Sequence, residues 1–236
     1  MTRLSVNINK IATIRNARGG NTPDIINAAR KCQLYGADGI TIHPRPDQRH
    51  ITRQDAYDIK DIITTEYNIE GYPSTDFVNM VIDILPDQVT LVPDADDVIT
   101  SNNGWDTLKN KSLLEEVISE FKKHHIRTSV FVNPEVKMIE GAKICSSDRI
   151  ELYTESYSRE YHKNKSEAIL PYIEAARRAK ECGLKVNAGH DLNMNNLSYF
   201  VKQISNISEV SIGHALISDA IYLGLENTIQ MYKRLL

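Results

Sequence analysis

Four histidines, His43, His50, His190 and His214, each stand at or just beyond the end of a short β-branched run. Histidine is the side chain that titrates nearest neutrality, so its recurrence at one kind of position signals proton transfer. The others, His124, His125 and His162, sit in polar helix-end or loop surroundings. Glu70, in Asn-Ile-Glu-Gly-Tyr, and Glu151, in Arg-Ile-Glu-Leu-Tyr, are carboxylates beside apolar positions. A carboxyl drawn out of water becomes a usable proton acceptor near neutrality. For one of the two, a purely structural ion pair is the plainer expectation. Glu70, His43 and His190 together bring acids and bases to one site, each worth roughly 10²–10⁴-fold in rate.

A second group of residues suits anions. The run from His43 to His50 (His-Pro-Arg-Pro-Asp-Gln-Arg-His) places two histidines and two arginines in a loop stiffened by proline. For any one of these residues a solvated loop is the bland explanation. For the set, anion binding fits better, because the guanidinium fork matches phosphate and proline lowers the entropy lost on fixing it. Gly189-His190 and Gly213-His214 each follow a strand-like run. Glycine lets backbone N–H groups come close to a phosphate, although each alone is also an ordinary turn. Asn16-Ala-Arg-Gly-Gly20 adds Arg18 on weaker grounds, since Gly-Gly is common in loops.

These residues need a scaffold that brings distant stretches together. The chain alternates short β-branched runs with amphipathic stretches. Strands are predicted at 4–9, 40–43, 68–70, 88–92, 127–132, 149–154, 184–188 and 209–213. Helices are predicted at 24–35, 54–65, 76–85, 109–124, 165–182, 195–204 and 215–235, with a further one opened by Pro134. Gly36 and Gly183 stand where helix-terminating glycines belong. Runs such as Thr128-Ser-Val-Phe-Val read as apolar on both faces, as a helix-covered sheet demands. Strand–helix alternation implies parallel pairing through right-handed crossovers. Eight such units in 236 residues match a (β/α)8 TIM barrel with one domain over residues 1–236. An open doubly wound sheet would show a glycine-rich turn after its first strand. Here that strand ends in Asn-Ile-Asn-Lys. A parallel barrel collects its reactive groups at the C-terminal strand ends, which is where these histidines and glutamates fall.

The bulk properties are those of an ordinary globular chain. Lys plus Arg is 28 and Asp plus Glu is 31, a formal charge of −3. That balance argues against a nucleic-acid footprint or a membrane-surface sheet, both of which need a basic excess. No run approaches the roughly 18 apolar residues of a membrane helix. Cys32, Cys145 and Cys182 are scattered and form no CxxC pattern, as in a chain with reduced thiols. With an N-terminus that enters a strand-like run directly, this points to the cytoplasm. The residue chemistry suits a phosphorylated carbonyl substrate undergoing proton transfer, condensation or elimination.

Several long motifs carry a resemblance. They are Val6-Asn-Ile-Asn-Lys-Ile-Ala-Thr-Ile-Arg-Asn-Ala-Arg-Gly19, Gly36-Ala-Asp-Gly-Ile-Thr-Ile-His43, Arg49-His-Ile-Thr52, Asn68-Ile-Glu70, Leu91-Val-Pro93, Leu184-Lys-Val-Asn-Ala-Gly-His190 and Ile212-Gly-His-Ala215. In this order they closely resemble the PdxJ family of pyridoxine 5′-phosphate synthases. The resemblance implies a (β/α)8 barrel with extra helices, assembled as a homo-octamer. It implies condensation of 3-amino-2-oxopropyl phosphate with 1-deoxy-D-xylulose 5-phosphate to pyridoxine 5′-phosphate, phosphate and water, with no metal or organic cofactor. It further implies His43 and Glu70 as proton acceptors and His190 as proton donor. Asn7, Arg18, Gly213 and His214 would hold the aminoketone phosphate, and Arg45, His50 and Thr100 the deoxyxylulose phosphate. Glu151 matches a family carboxylate in the same cavity.

Two departures from the family pattern stand out. Asn9-Lys10 replaces the usual Asp-His, exchanging an anionic orienting pair for an amide and a cation; both remain expected substrate contacts. Asp191 replaces the usual glycine after the donor histidine. Its contact with substrate is expected through backbone alone. Lys10 also motivates a rival, a Schiff-base aldolase or transaldolase barrel. A metallohydrolase is a second rival, but strand one lacks His-x-His. A non-catalytic binder of phosphate ligands is a third.

Overall fold

The computed structural model describes residues 2–93 and 103–236. Eight parallel strands follow one another around a closed barrel: β1 (Arg3–Asn7), β2 (Gly39–Ile42), β3 (Glu66–Gly71), β4 (Gln88–Leu91), β5 (Arg127–Val132), β6 (Arg149–Leu152), β7 (Lys185–Ala188) and β8 (Ile207–Ile212). Closure comes from β8 pairing with β1, with Val6 opposite Ile212. The helices around it are α1 (Asn9–Arg18), α2 (Ile25–Leu34), α3 (Arg53–Lys60), α4 (Thr75–Ile84), α5 (Lys111–Lys123), α6 (Val136–Ile144), α7 (Glu155–Ala168), α8 (Leu170–Glu181), α9 (Leu197–Gln203), α10 (His214–Leu223) and α11 (Leu225–Arg234). The predicted (β/α)8 barrel with extra helices is the observed fold.

Three local expectations are corrected. The first strand stops at Asn7, and Asn9 opens α1 instead of ending a strand. Only Ile11, Ala12 and Arg15 of α1 are buried, so its apolar stripe is too thin to read as a helix. The helix expected over 165–182 is instead the end of α7 followed by α8, and residues 155–164 of α7 carry no helical signal, because this largely polar helix buries Tyr157 alone. The last helix is two, broken at Gly224, whose φ of 78° ends α10 and opens the way to α11.

The strands also differ from the expectation of apolar faces on both sides. Side chains alternate across a strand. Val6, Ile40, Ile69, Val89, Val130 and Val210 turn outward into the helix-facing core and are fully buried. The inward positions are polar. Ser5 and Thr41 share a hydrogen bond of 2.7 Å. Asn68 donates to Thr41 and accepts from Gln88 and Thr90. At the N-terminal end of the barrel, Arg3 and Arg127 pair with Glu66. Arg149 lies 3.9 Å from both Glu66 and Glu209. Buried polar groups are costly unless partnered. From β1 to β4 neighbouring strands supply those partners, whereas Ser129 Oγ, Asn187 Nδ2 and Glu209 Oε1 are buried without one among the described residues. The sheet thus has a dry outer face and a hydrogen-bonded lumen, and the lumen rises into the catalytic end.

Candidate active site

The C-terminal strand ends open into a cavity of about 490 Å3. Each βα connection contributes groups for a local reason. Asn7 ends β1, and Asn9 and Lys10 form the first turn of α1. Asn9 ties two strand ends together: its N–H gives to Asn7 Oδ1 at 3.1 Å and its Oδ1 accepts from the His43 N–H at 3.0 Å. The loop after β2 brings His43, Arg45 and His50 to the cavity. All three are buried, despite the polar sequence around them. That loop is held from α1. Arg15 forms a two-pronged ion pair with Asp55 and donates to the His50 carbonyl at 3.1 Å. Asp55 is in turn the third residue of the capping box that Thr52 sets at the start of α3.

Glu70 projects from β3, where Asn7 Nδ2 and Ser211 Oγ each reach it at 3.5 Å. His43 Nδ1 lies 4.0 Å from Glu70 Oε2. Glu151 enters from β6, and His190 and Asp191 follow β7. Gly189 is required there. A Cβ on it would stand 1.9 Å from the Ser211 carbonyl oxygen. Gly213 caps α10 with Asn7 close against it, so Gly213 and His214 line the cavity at a helix N-terminus. The first turns of α1 and α10 therefore open on the same cavity, and helix N-termini favour anions.

The electrostatics divide the site's acids from its bases. Burial, then the positive charge of Arg45, the neighbouring His50 and Arg49, holds His43 well below the usual imidazole value. It is a neutral base at pH 7. Burial and then Arg45, Lys10 and Arg49 bring His50 down to about 4. Its Nδ1 accepts the Ile51 N–H at 3.0 Å, which leaves the proton on Nε2 as a donor. Burial, then the Glu70 carboxylate and Glu209, drives Glu151 well above the usual carboxyl range. A protonated Glu151 beside Glu70 is an acid next to an acceptor, the division that proton shuttling needs.

The other expected positions are placed less directly. Arg18 ends α1, exposed, and does not line the cavity. Thr100 lies outside the described residues. Asp191 does more than its backbone: its Oδ2 meets His190 Nδ1 at 2.7 Å. Sequence reasoning passed over Ser211, Phe131 and Tyr153. Ser211 stands two residues before Gly213 and Tyr153 two after Glu151, so period-two alternation along each strand was the signal for both. The Tyr153 ring meets His190 edge-on at 5.5 Å and Phe131 at 5.3 Å, giving that side of the mouth an aromatic wall.

Fold and site together define a (β/α)8 barrel enzyme with acid–base groups and anion-binding helix ends at one mouth. Comparison with known proteins gives the family. The model of the family described as pyridoxal phosphate biosynthesis protein PdxJ matches residues 4–236. A pyridoxine 5′-phosphate synthase from Cytophaga hutchinsonii is 63% identical over 234 residues, covering 99% of this chain and 98% of its own. One from Christiangramia forsetii is 57% identical, with both chains covered in full (100%). The chain belongs to the PdxJ family. Among solved structures, phosphoribosylanthranilate isomerase from Thermotoga maritima aligns over 100% of this chain and 98% of its own, with a TM-score of 0.62 and 15% identity. Thiamine phosphate pyrophosphorylase from Pyrococcus furiosus covers 99% and 94%, with a TM-score of 0.63 and 10% identity. Both are likenesses of fold.

Proposed function

We propose that this chain catalyses the ring closure that makes pyridoxine 5′-phosphate, condensing 3-amino-2-oxopropyl phosphate with 1-deoxy-D-xylulose 5-phosphate and releasing phosphate and water. One observation carries the proposal. His43, Glu70, Glu151 and His190 line the same cavity as two separate anion-binding regions, one at Arg45 and His50 and the other at the α10 N-terminus. Two phosphorylated substrates require two such regions, with proton-transfer groups between them.

The amine of one substrate attacks the ketone of the other and a first water leaves, phosphate is eliminated, and the ring closes by carbon–carbon bond formation with loss of a second water. Each step moves a proton. Neutral His43 and the Glu70 carboxylate accept protons, and protonated Glu151, beside Glu70, and His190 are the donors. Gly213 and His214 hold the aminoketone phosphate at the head of α10, with Asn7 beside them. Arg45 and the Nε2–H of His50 hold the deoxyxylulose phosphate, and Thr100 belongs to the same group. Lys10 and Asn9 contact substrate oxygen atoms at the head of α1. Holding both reactants in one closed space supplies the orientation that two-substrate condensations need.

Residues 1–236 act as one catalytic unit, and we place its work in the cytoplasm, where the free thiols Cys32, Cys145 and Cys182 stay reduced. No helix among the described residues is long and apolar enough to cross a membrane. The chain works as a homo-octamer; exposed Ile221 and Tyr222 at the end of α10 support a self-association surface. The test is to incubate the pure protein with both phosphorylated ketones. Pyridoxine phosphate and free phosphate are expected together. Binding without turnover would make the chain a ligand binder, and a borohydride-trapped adduct on Lys10 would make it a Schiff-base enzyme.

A further inference from the structure

The loop after β7 is built more firmly than a substrate-binding turn requires. Gly189 presses its backbone against β8, and the Leu192 N–H closes the turn on the Gly189 carbonyl at 2.8 Å. The Asp191 carbonyl then accepts from two asparagine side chains, Asn193 Nδ2 at 3.3 Å and Asn196 Nδ2 at 3.2 Å. Asn196 is itself buried, and its Oδ1 accepts the Asn193 N–H at 2.8 Å. The main chain at 191 is therefore clamped independently of the Asp191 side chain. That side chain is spent on something else: its Oδ2 lies 2.7 Å from His190 Nδ1. The Tyr153 ring closes the other side of the imidazole. The same cavity is lined by Lys10, His43, Glu70, Glu151 and His214.

We infer that Asp191 is a positioning residue for His190, fixing its tautomer and aiming its Nε2 proton into the cavity. A carboxylate on Nδ1 binds the N–H there, so the proton that leaves must come from Nε2, and the neutral ring that remains is the Nδ1–H tautomer Asp191 already holds. The carboxylate also favours the imidazolium, which keeps the acid loaded to higher pH. Tyr153 limits rotation of the ring about its bond to the chain, so orientation and protonation are set together. This inference rests on the proposed ring-closing reaction for its catalytic sense, but the pairing is measurable without substrate.

The experiment uses the full-length protein with 15N-labelled histidine, the His190 signals being assigned through His190→Gln. In Asp191→Asn, the His190 midpoint is expected to fall by about one pH unit or more, and its neutral form to become a mixture of tautomers. Asp191→Glu is expected to restore part of both. In turnover with the two phosphorylated ketones, Asp191→Asn is expected to lower kcat about tenfold or more. The alkaline limb of its pH profile should move down with the NMR midpoint, while KM for both ketones stays within about twofold. An unchanged midpoint and tautomer in folded Asp191→Asn would overturn the inference. A shifted midpoint with unaltered kcat would overturn it too, since the pair would then do nothing for the reaction. If the NMR changes appear but the wild-type protein makes no pyridoxine phosphate, the ring-closing assignment fails separately and the catalytic role fails with it.

Discussion

His43 Nδ1 stands 4.0 Å from Glu70 Oε2, with the imidazole on the loop after β2 and the carboxylate on the adjacent strand β3. The spacing is too long for a strong hydrogen bond and short enough for a substrate proton to be passed between the two. His43→Ala and Glu70→Gln are each expected to cut kcat by roughly 10²–10⁴-fold. Neither residue anchors the hydrophobic core, so circular dichroism and the melting temperature should change little. A near-normal rate in either variant would remove that residue from the chemistry.

Glu151 is buried and sits beside the charge of Glu70, so the folded protein holds its proton above the usual carboxyl range. The unfolded chain releases that proton at ordinary carboxyl values. Stability from this group is therefore complete at low pH and is lost as pH rises from about 4.5 towards the folded value. Glu151→Gln removes the titration while keeping the shape. It is expected to melt higher than wild type at pH 8 and to lose that advantage near pH 4, as calorimetry across the range would show.

His50 runs the opposite way. Its folded pKa of about 4 lies below the ordinary imidazole value near 6.5. The unfolded chain takes up a proton first, so stability is complete above pH 6.5 and declines as pH falls towards 4. Between pH 6.5 and 5 the loss is about 2 kcal/mol, or roughly 4–8 °C in melting temperature. His50→Asn keeps an acceptor for the Ile51 N–H without the titration. Its melting temperature should depend less on pH in that range, and its affinity for deoxyxylulose phosphate should drop with the lost Nε2–H.

Gly189→Ala tests the closure of the barrel. The new Cβ would meet the Ser211 carbonyl at 1.9 Å, a backbone atom that cannot swing aside. Overpacking of this kind costs roughly 1–3 kcal/mol, and a backbone clash belongs at the upper end or beyond. A lowered melting temperature together with lost activity is expected, because β7 carries His190 into the cavity. Unchanged stability in this variant would mean that β7 and β8 have room to part.

The sequence by itself determined the alternation of strand and helix, and with it the barrel. Outward residues such as Val6, Ile40 and Val130 repeat every second position, and the amphipathic α5 and α11 repeat at helical spacing, because local geometry writes its period directly into side-chain order. It also placed His43, Glu70, Glu151 and His190 at strand ends, and the motifs around them carried the family. What it left out has a common cause. α1 and α7 bury too few apolar residues to announce themselves. The polar lumen is hidden where runs such as Thr128–Val132 read as apolar on both faces, and it emerges only when strands far apart in sequence supply each other's partners, as Asn68 does for Thr41 and Gln88. Nothing in the local sequence marks Arg15, whose ion pair with Asp55 and hydrogen bond to the His50 carbonyl exist only in the folded chain. Burial decides the protonation of His43 and Glu151, and burial belongs to the closed barrel, not to any stretch of chain.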